Sequence, residues 1–230
     1  MFKTISNDSE AEIIEKKSKF IANIFYVETR EEAEEKIKEI KKKYFDARHN
    51  CFAYSIFTKD RIIERFSDDG EPSGTAGAPM LNILSSQNLR NVVVIVTRYF
   101  GGILLGTGGL VRAYTGAVQE ALKNVEIIEK YLGLEVNLEV NYPNLEKLKY
   151  YLKQNEIKIL SSEYLENIKV LVEISEEKLE NLLESKNELN FNLINVEKVK
   201  EKYLPVMRKA AFMRSLITKT VNLPVRRNII

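Results

Sequence analysis

The chain has no tryptophan, one cysteine and one histidine. With Cys51 alone no intrachain disulfide can form, which fits a reducing compartment. His49 is its only companion, and structural zinc sites draw mainly on Cys and His, so the sequence argues against such a site. Long apolar runs are missing too. The longest, Val92 to Val96, is far too short to cross a bilayer. The N-terminus carries Asp8 and Glu10 and lacks the apolar segment of a secretory signal. A soluble, cytoplasmic protein without membrane contact is expected. The net charge of +2 is too small to announce a polyanionic partner, although residues 206–230 hold +6 and leave −4 for the remainder. Lysine, the commoner cation at 24 against 11 arginines, is absent between Lys59 and Lys123. Cations in that window are Arg61, Arg65, Arg90, Arg98 and Arg112, residues that offer a planar donor fork instead of a point charge.

At 230 residues the chain suits one large domain or two small ones, and 44% apolar with 30% charged residues is ordinary globular composition. Its glycines are concentrated, nine of ten falling between Ser67 and Gly116 around one apolar strand. Glycine serves where the backbone needs positive φ or where another group approaches closely, so this window reads as shaped loops. Upstream, Glu12 to Val27 reads as one or two strands. Thr29 as N-cap, with acids behind it and Ala33, Ile37 and Ile40 at helical spacing, predicts a helix. Cys51 to Phe57 and Arg61 to Phe66 read as paired strands, Pro79 to Leu89 as a short helix. Asn91 to Thr97 reads as a strand buried on both faces, and Gly109 to Lys123 as a helix with an apolar stripe.

Beyond Lys123 the composition turns to Asn, Glu, Lys and Leu. Leu132 to Val140 alternates as a half-buried strand, and Pro143 opens a helix at a favoured position. Strands over 157–165 and 168–174, a helix capped by Ser175 and a strand over 191–199 complete a β-α-β-β-α-β order. The expected division is 1–128, 129–205, and a basic tail 206–230 of unknown role.

Several constellations could carry chemistry. Gly101 and Gly106 have the spacing of a Walker loop, but Thr107 stands where Lys is required. A dinucleotide fingerprint fails at Val111. What survives is weaker: Gly106, Gly108 and Gly109 open a helix whose free N–H groups favour an anion, or they only let that helix pack closely. Asp68, Asp69 and Glu71 could bind a divalent cation or, more economically, pair with local arginines and shape the loop. His49 and Cys51 point to one face of a strand and form either a nucleophilic dyad or a buried thiol beside a hydrogen-bonded imidazole. Arg98 and Tyr99 end the apolar strand, where they could contact phosphate and stack on bases; Phe100 is a further exposed-aromatic candidate, and Tyr114 reads as core.

SDDGEPSGTAGAPML, the following NVVVIVTRYFGGILLGTGGLVRAYTGAVQEAL, and HNCFAY from His49 to Tyr54 closely resemble the signature of the YigZ/IMPACT family. The resemblance implies an α+β protein of two domains. Its first domain would be similar to the second domain of a small-subunit ribosomal protein and to domain IV of elongation factor G. The second would be ferredoxin-like, similar to that factor's domain V. The family pattern ends near Tyr203, so the basic tail has no counterpart in it. Eukaryotic relatives regulate translation through a protein partner of their own. That partner does not carry over, and for bacterial members the resemblance implies nucleic-acid or ribosome binding with no established reaction. RNA or the ribosome is the expected partner here, a translation-factor protein a further one, and no cofactor is expected. The expected binding face comprises Ser73 and Thr75 in one loop and Tyr99, Gly101, Gly102, Gly106, Gly108 and Gly109 in another, with Arg98 and Arg112 beside them. Asp68, Asp69 and Glu71 shape the first loop or hold a metal. The competing readings are an enzyme for a phosphorylated or peptide substrate and a protein–protein adaptor.

Overall fold

A computed structural model describes residues 1–59, 61–185 and 192–206. Two antiparallel sheets, each of five strands, organise the chain. The first has the order β2 (Ser9–Glu15), β3 (Ser18–Tyr26), β6 (Val92–Tyr99), β4 (His49–Phe57), β5 (Ile62–Ser67). Strand β6 lies at its centre, which explains the unbroken apolar run. Val92, Val94 and Val96 face α2 (Gly77–Ser86) and α3 (Thr107–Leu122), in a core with Phe20, Cys51 and Tyr114. Val93 and Ile95 face α1 (Arg30–Lys43), against Ala33, Ile37 and Ile40. Each fully buried aliphatic side chain of this strand contributes roughly 1.5–3 kcal/mol.

Local signals start the elements as the sequence predicts. Thr29 Oγ1 accepts from Glu32 N at 3.1 Å at the start of α1, and Glu32 reaches back to Glu28 N at 2.8 Å. Strands β2 and β3 are joined by Lys16 and Lys17 alone, both at positive φ (44° and 62°), as a two-residue hairpin turn of the primed kind requires.

The second sheet runs β10 (Leu193–Pro205), β7 (Ile127–Val140), β9 (Ile168–Ile174), β8 (Lys158–Tyr164). Helices α4 (Tyr142–Gln154) and α5 (Glu176–Ser185) cover one face, burying Leu145, Leu148, Leu152, Leu179 and Leu182 against Val136, Leu138, Val170 and Val172. Strand β10 runs on to Pro205 with two irregularities in register, farther than the expected end at Val199. Phe191, expected to begin it, lies outside the described residues, as does most of the basic tail.

The fifth strand of this sheet comes from the other end of the chain. Strand β1 (Phe2–Ile5) pairs with the first residues of β7, Phe2 opposite Lys130 and Ile5 opposite Ile127. It touches the first half as well. Lys3 O accepts from Arg90 N at 2.8 Å, and Ile5 is buried in the α2–α3 core. Phe2 meets Phe57 and Tyr203 at ring separations of 5.0 and 5.1 Å, and Tyr203 Oη donates to Phe57 O at 2.7 Å. The second sheet therefore abuts the end of the first sheet marked by Tyr26, Phe57 and Val92. Its opposite end meets no strand of the second sheet among the described residues.

Candidate binding site at the free end of the first sheet

Four connections meet at that free end: the Lys16–Lys17 turn, the stretch from Phe45 to Arg48, the loop from Ser67 to Ala76, and the loop from Phe100 to Gly106. The sequence signals that place them are short. Gly101 admits the close approach of the hairpin, since a Cβ there would sit 2.0 Å from the Lys17 carbonyl. Gly102 and Gly106 take positive φ (84° and 72°) with open space around them, and Gly106 caps α3.

Beneath the loops lies a buried polar network. Glu71 Oε1 accepts from Arg98 Nη1 at 2.7 Å and from Tyr114 Oη at 2.8 Å, and both charged side chains are at least nine-tenths buried. The Tyr114 hydroxyl lies 3.4 Å from Cys51 Sγ, which itself faces Asp68 O at 2.9 Å. Burial first, then Cys51 and Glu71, push the Tyr114 phenol pKa up. Burial pushes the Cys51 thiol up to about 12, against a smaller opposing effect of its Tyr114 contact. A thiol so placed is neutral at pH 7 and no nucleophile.

The three carboxylates are all engaged. Asp68 accepts from Gly74 N, Ala76 N and Gly77 N at 2.8–3.0 Å, which ties the loop to the start of α2. Partial burial raises its pKa, but these three N–H donors outweigh burial and hold it below the ordinary value. Asp69 takes Lys41 at 2.7 Å and Asn50 N at 2.7 Å. His49 Nδ1 lies 2.9 Å from Asp69 O. A carbonyl only accepts, so that nitrogen carries the proton. No group of three His, Cys, Asp or Glu side chains placed to hold a metal ion occurs among the described residues. The contacts of Asp68 and Asp69 are with main-chain N–H groups and Lys41.

The remaining expected residues separate into two groups. Thr75 is buried and donates to Pro72 O at 2.6 Å, and Arg98 is buried under Glu71; neither presents itself as part of an open basic surface. Replacing Arg98 by Lys therefore perturbs a buried pair before it perturbs any surface contact. Ser73, Gly102, Gly106, Gly108 and Arg112 are exposed, Gly101 and Gly109 partly so. Tyr99 is half-buried, and its hydroxyl donates to Asp46 at 2.7 Å, which pushes its pKa up to about 12.

Residues not anticipated from the sequence complete the surface. Lys16, Lys17 and Arg48 are exposed, and like Arg112 they enter no ion pair among the described residues. Phe45 (84%) and Leu104 (82%) stand out into solvent beside them, next to Phe100 (56%), the exposed aromatic that the sequence suggested. The two-residue link between alternating segments was the available signal for Lys16 and Lys17; nothing local marked Arg48 or Leu104. No helix among the described residues is long and apolar enough to cross a membrane.

Comparisons with known proteins agree on kinship. The Impact N-terminal domain matches residues 16–122, and a domain of unknown function, DUF1949, matches residues 138–185. IMPACT family member YvyE of Bacillus subtilis is 37% identical over 201 residues, covering 87% of this chain and 92% of its own. IMPACT family member YigZ of Escherichia coli is 40% identical over 150 residues, covering 65% and 74%. A crystal structure of a hypothetical protein superposes with a TM-score of 0.58 at 32% identity, over 85% of this chain and 97% of that one. The two-domain translational regulator Yih1 superposes over 54% of this chain and 47% of its own, at 24% identity and a TM-score of 0.32. On the length and level of the YvyE match, the chain belongs to the IMPACT family.

Proposed function

We propose that this protein binds RNA, free or in the ribosome, through the free end of its first sheet, and that it acts there without catalysis. One observation carries the reading. Lys16, Lys17, Arg48 and Arg112 are exposed and unpaired among the described residues, around a loop that presents Phe100, Ile103 and Leu104 to solvent. Cations that follow a backbone and apolar or aromatic side chains that receive bases are what single-stranded nucleic acid requires. The division into 1–128 and 129–205 belongs to the same reading, with β1 returning to the second sheet. The order β10-β7-β9-β8 supports a ferredoxin-like second half, and with it the kinship to domains IV and V of elongation factor G.

Binding of labelled single-stranded RNA and of ribosomes is to be measured across a salt series for the full chain. A variant carrying Lys16→Ala, Lys17→Ala and Arg48→Ala separates this surface from the basic tail. Affinity is expected to fall steeply with salt, and the triple variant to have a slope smaller by about one unit for each phosphate that its side chains no longer reach. Absence of binding at low salt overturns the reading, as does a variant indistinguishable from the parent.

A second reading is favoured by a different observation. Phe45 and Leu104 are more than four-fifths exposed, and apolar groups so displayed also suit a protein partner. Loss of a partner after Leu104→Asp, with little dependence on salt, would select that reading.

A further inference from the structure

A cleft of about 480 Å3 opens at this end of the sheet, lined by Asp46, Arg48, His49, Arg98, Tyr99, Phe100 and Leu104. Its size is that of a small-molecule site. Arg98 is the unusual member. It is 7% exposed, and among the described residues only its Nη1 has a hydrogen-bond acceptor, Glu71, while its buried Nε has none. The guanidinium carbon lies 5.5 Å from the ring centroids of both Phe20 and Phe100. Buried donors are nearly always satisfied, so a guanidinium that lines a cleft with most of its donors unspent calls for an acceptor. Arg48 stands at the same cleft, exposed and without an ion pair among the described residues. The one carboxylate in the lining, Asp46, already accepts from Tyr99 Oη at 2.7 Å. The wall offers Phe100, Tyr99 and Leu104.

We propose that this cleft binds a nucleotide carrying a phosphate monoester, its base against Phe100 and Leu104 and its phosphate between Arg48 and Arg98. Arg48 brings the unpaired charge and Arg98, whose charge Glu71 already balances, brings further donors; the three terminal oxygens of a phosphate monoester offer such donors more acceptors than a carboxylate or an internal phosphodiester does, and arginine is the residue for such fork-like recognition. The nucleotide is either the phosphorylated end of an RNA or a free mononucleotide. The inference deepens the RNA reading and rests on it for the first of these sources. It differs from that reading in predicting discrimination of an end group, which a general basic surface does not supply.

The test uses the full chain and one short oligoribonucleotide prepared in three forms, with a 5′-phosphate, with a 3′-phosphate, and with hydroxyls at both ends. Adenosine monophosphate, adenosine and inorganic phosphate are titrated separately. One phosphorylated form is expected to bind at least roughly tenfold more tightly than the hydroxyl form, the effect of one charge-assisted hydrogen bond or more. Arg48→Ala and Phe100→Ala, both at exposed positions, are expected to erase that ratio while circular dichroism shows an intact fold. Arg98→Lys, which keeps the charge and removes the fork, is expected to reduce it. Equal binding of all three forms, with no binding of the mononucleotide, overturns the cleft proposal and leaves the RNA reading standing. Binding of the mononucleotide in preference to adenosine, sensitive to Arg48→Ala, with no RNA bound in any form, overturns the RNA reading and assigns the cleft to a free nucleotide. If neither RNA nor mononucleotide binds, both fail.

Discussion

The buried Arg98–Glu71 pair makes a sharp stability prediction. Glu71→Ala removes the only acceptor, among the described residues, of a guanidinium whose side chain is 8% exposed, and it removes the acceptor of the buried Tyr114 hydroxyl as well. Solvent screening is slight at this depth, so the expected cost is that of stranding a buried charge, about 3–5 kcal/mol. At about 2–4 °C per kcal/mol for a chain of this size, the first core should melt about 10 °C lower. Far-ultraviolet circular dichroism in urea is the suitable assay, since no tryptophan is present to report by fluorescence. Where urea resolves two transitions, the loss should fall on the one that reports the first core. Glu71→Met with Arg98→Met should recover most of the loss, because an apolar pair leaves no charge unpaired; a double-mutant cycle then yields a large coupling energy. A Glu71→Ala protein destabilised by less than about 1 kcal/mol, a typical value for any substitution, refutes the reasoning.

Cys51 should react with a thiol reagent at neutral pH only as fast as the first core opens, because its thiol is buried and pushed up to about 12; rapid stoichiometric labelling of the native protein would contradict this. For Asp68, the depressed folded pKa means that its contribution is fully present above the ordinary value of 3.8 and is lost as pH falls through the lower folded value. Asp68→Asn should thus flatten the acid limb of stability against pH and cost about 1–2 kcal/mol near neutrality, as loss of a helix-start acceptor does, which acid titration followed by circular dichroism checks. Gly101→Ala should destabilise by about 1–3 kcal/mol or more, since its Cβ would meet Lys17 main-chain atoms that cannot swing aside. Gly102→Ala, in open space at φ 84°, should cost only the left-handed backbone term of about 1–2 kcal/mol; equal melting temperatures for the two would refute the close-approach argument.

Much of the architecture was legible because local signals and burial coincide. The run from Val92 to Val96 implied a strand covered on both faces, and α1 on one side with α2 and α3 on the other supply the cover. Thr29, Pro143 and Ser175 start helices where their types predict. Long-range pairing was not legible. Phe2–Ile5 is four residues without a distinctive pattern, and its partner Ile127–Lys130 begins β7 earlier than the alternation at Leu132 suggests. In the site, glycine spacing marked the loops but could not tell an exposed cation from a buried one. Arg98 and Arg112 look alike in the sequence, and only the position of Glu71 decides which of them is enclosed.

The return of β1 bears on how the protein is made. During synthesis the first strand leaves the ribosome long before the residues it must pair with, since Phe2 waits for Lys130. Closing so distant a contact carries a loop-entropy cost, and non-local strand pairing is slow. The core around α2 and α3 can collapse meanwhile and receive Ile5, guided by the Lys3–Arg90 hydrogen bond, but β1 has no ladder partner until β7 has emerged. Nascent chains stopped just after Lys123 should therefore remain protease-sensitive at the N-terminus, and those extended past Pro205 should not.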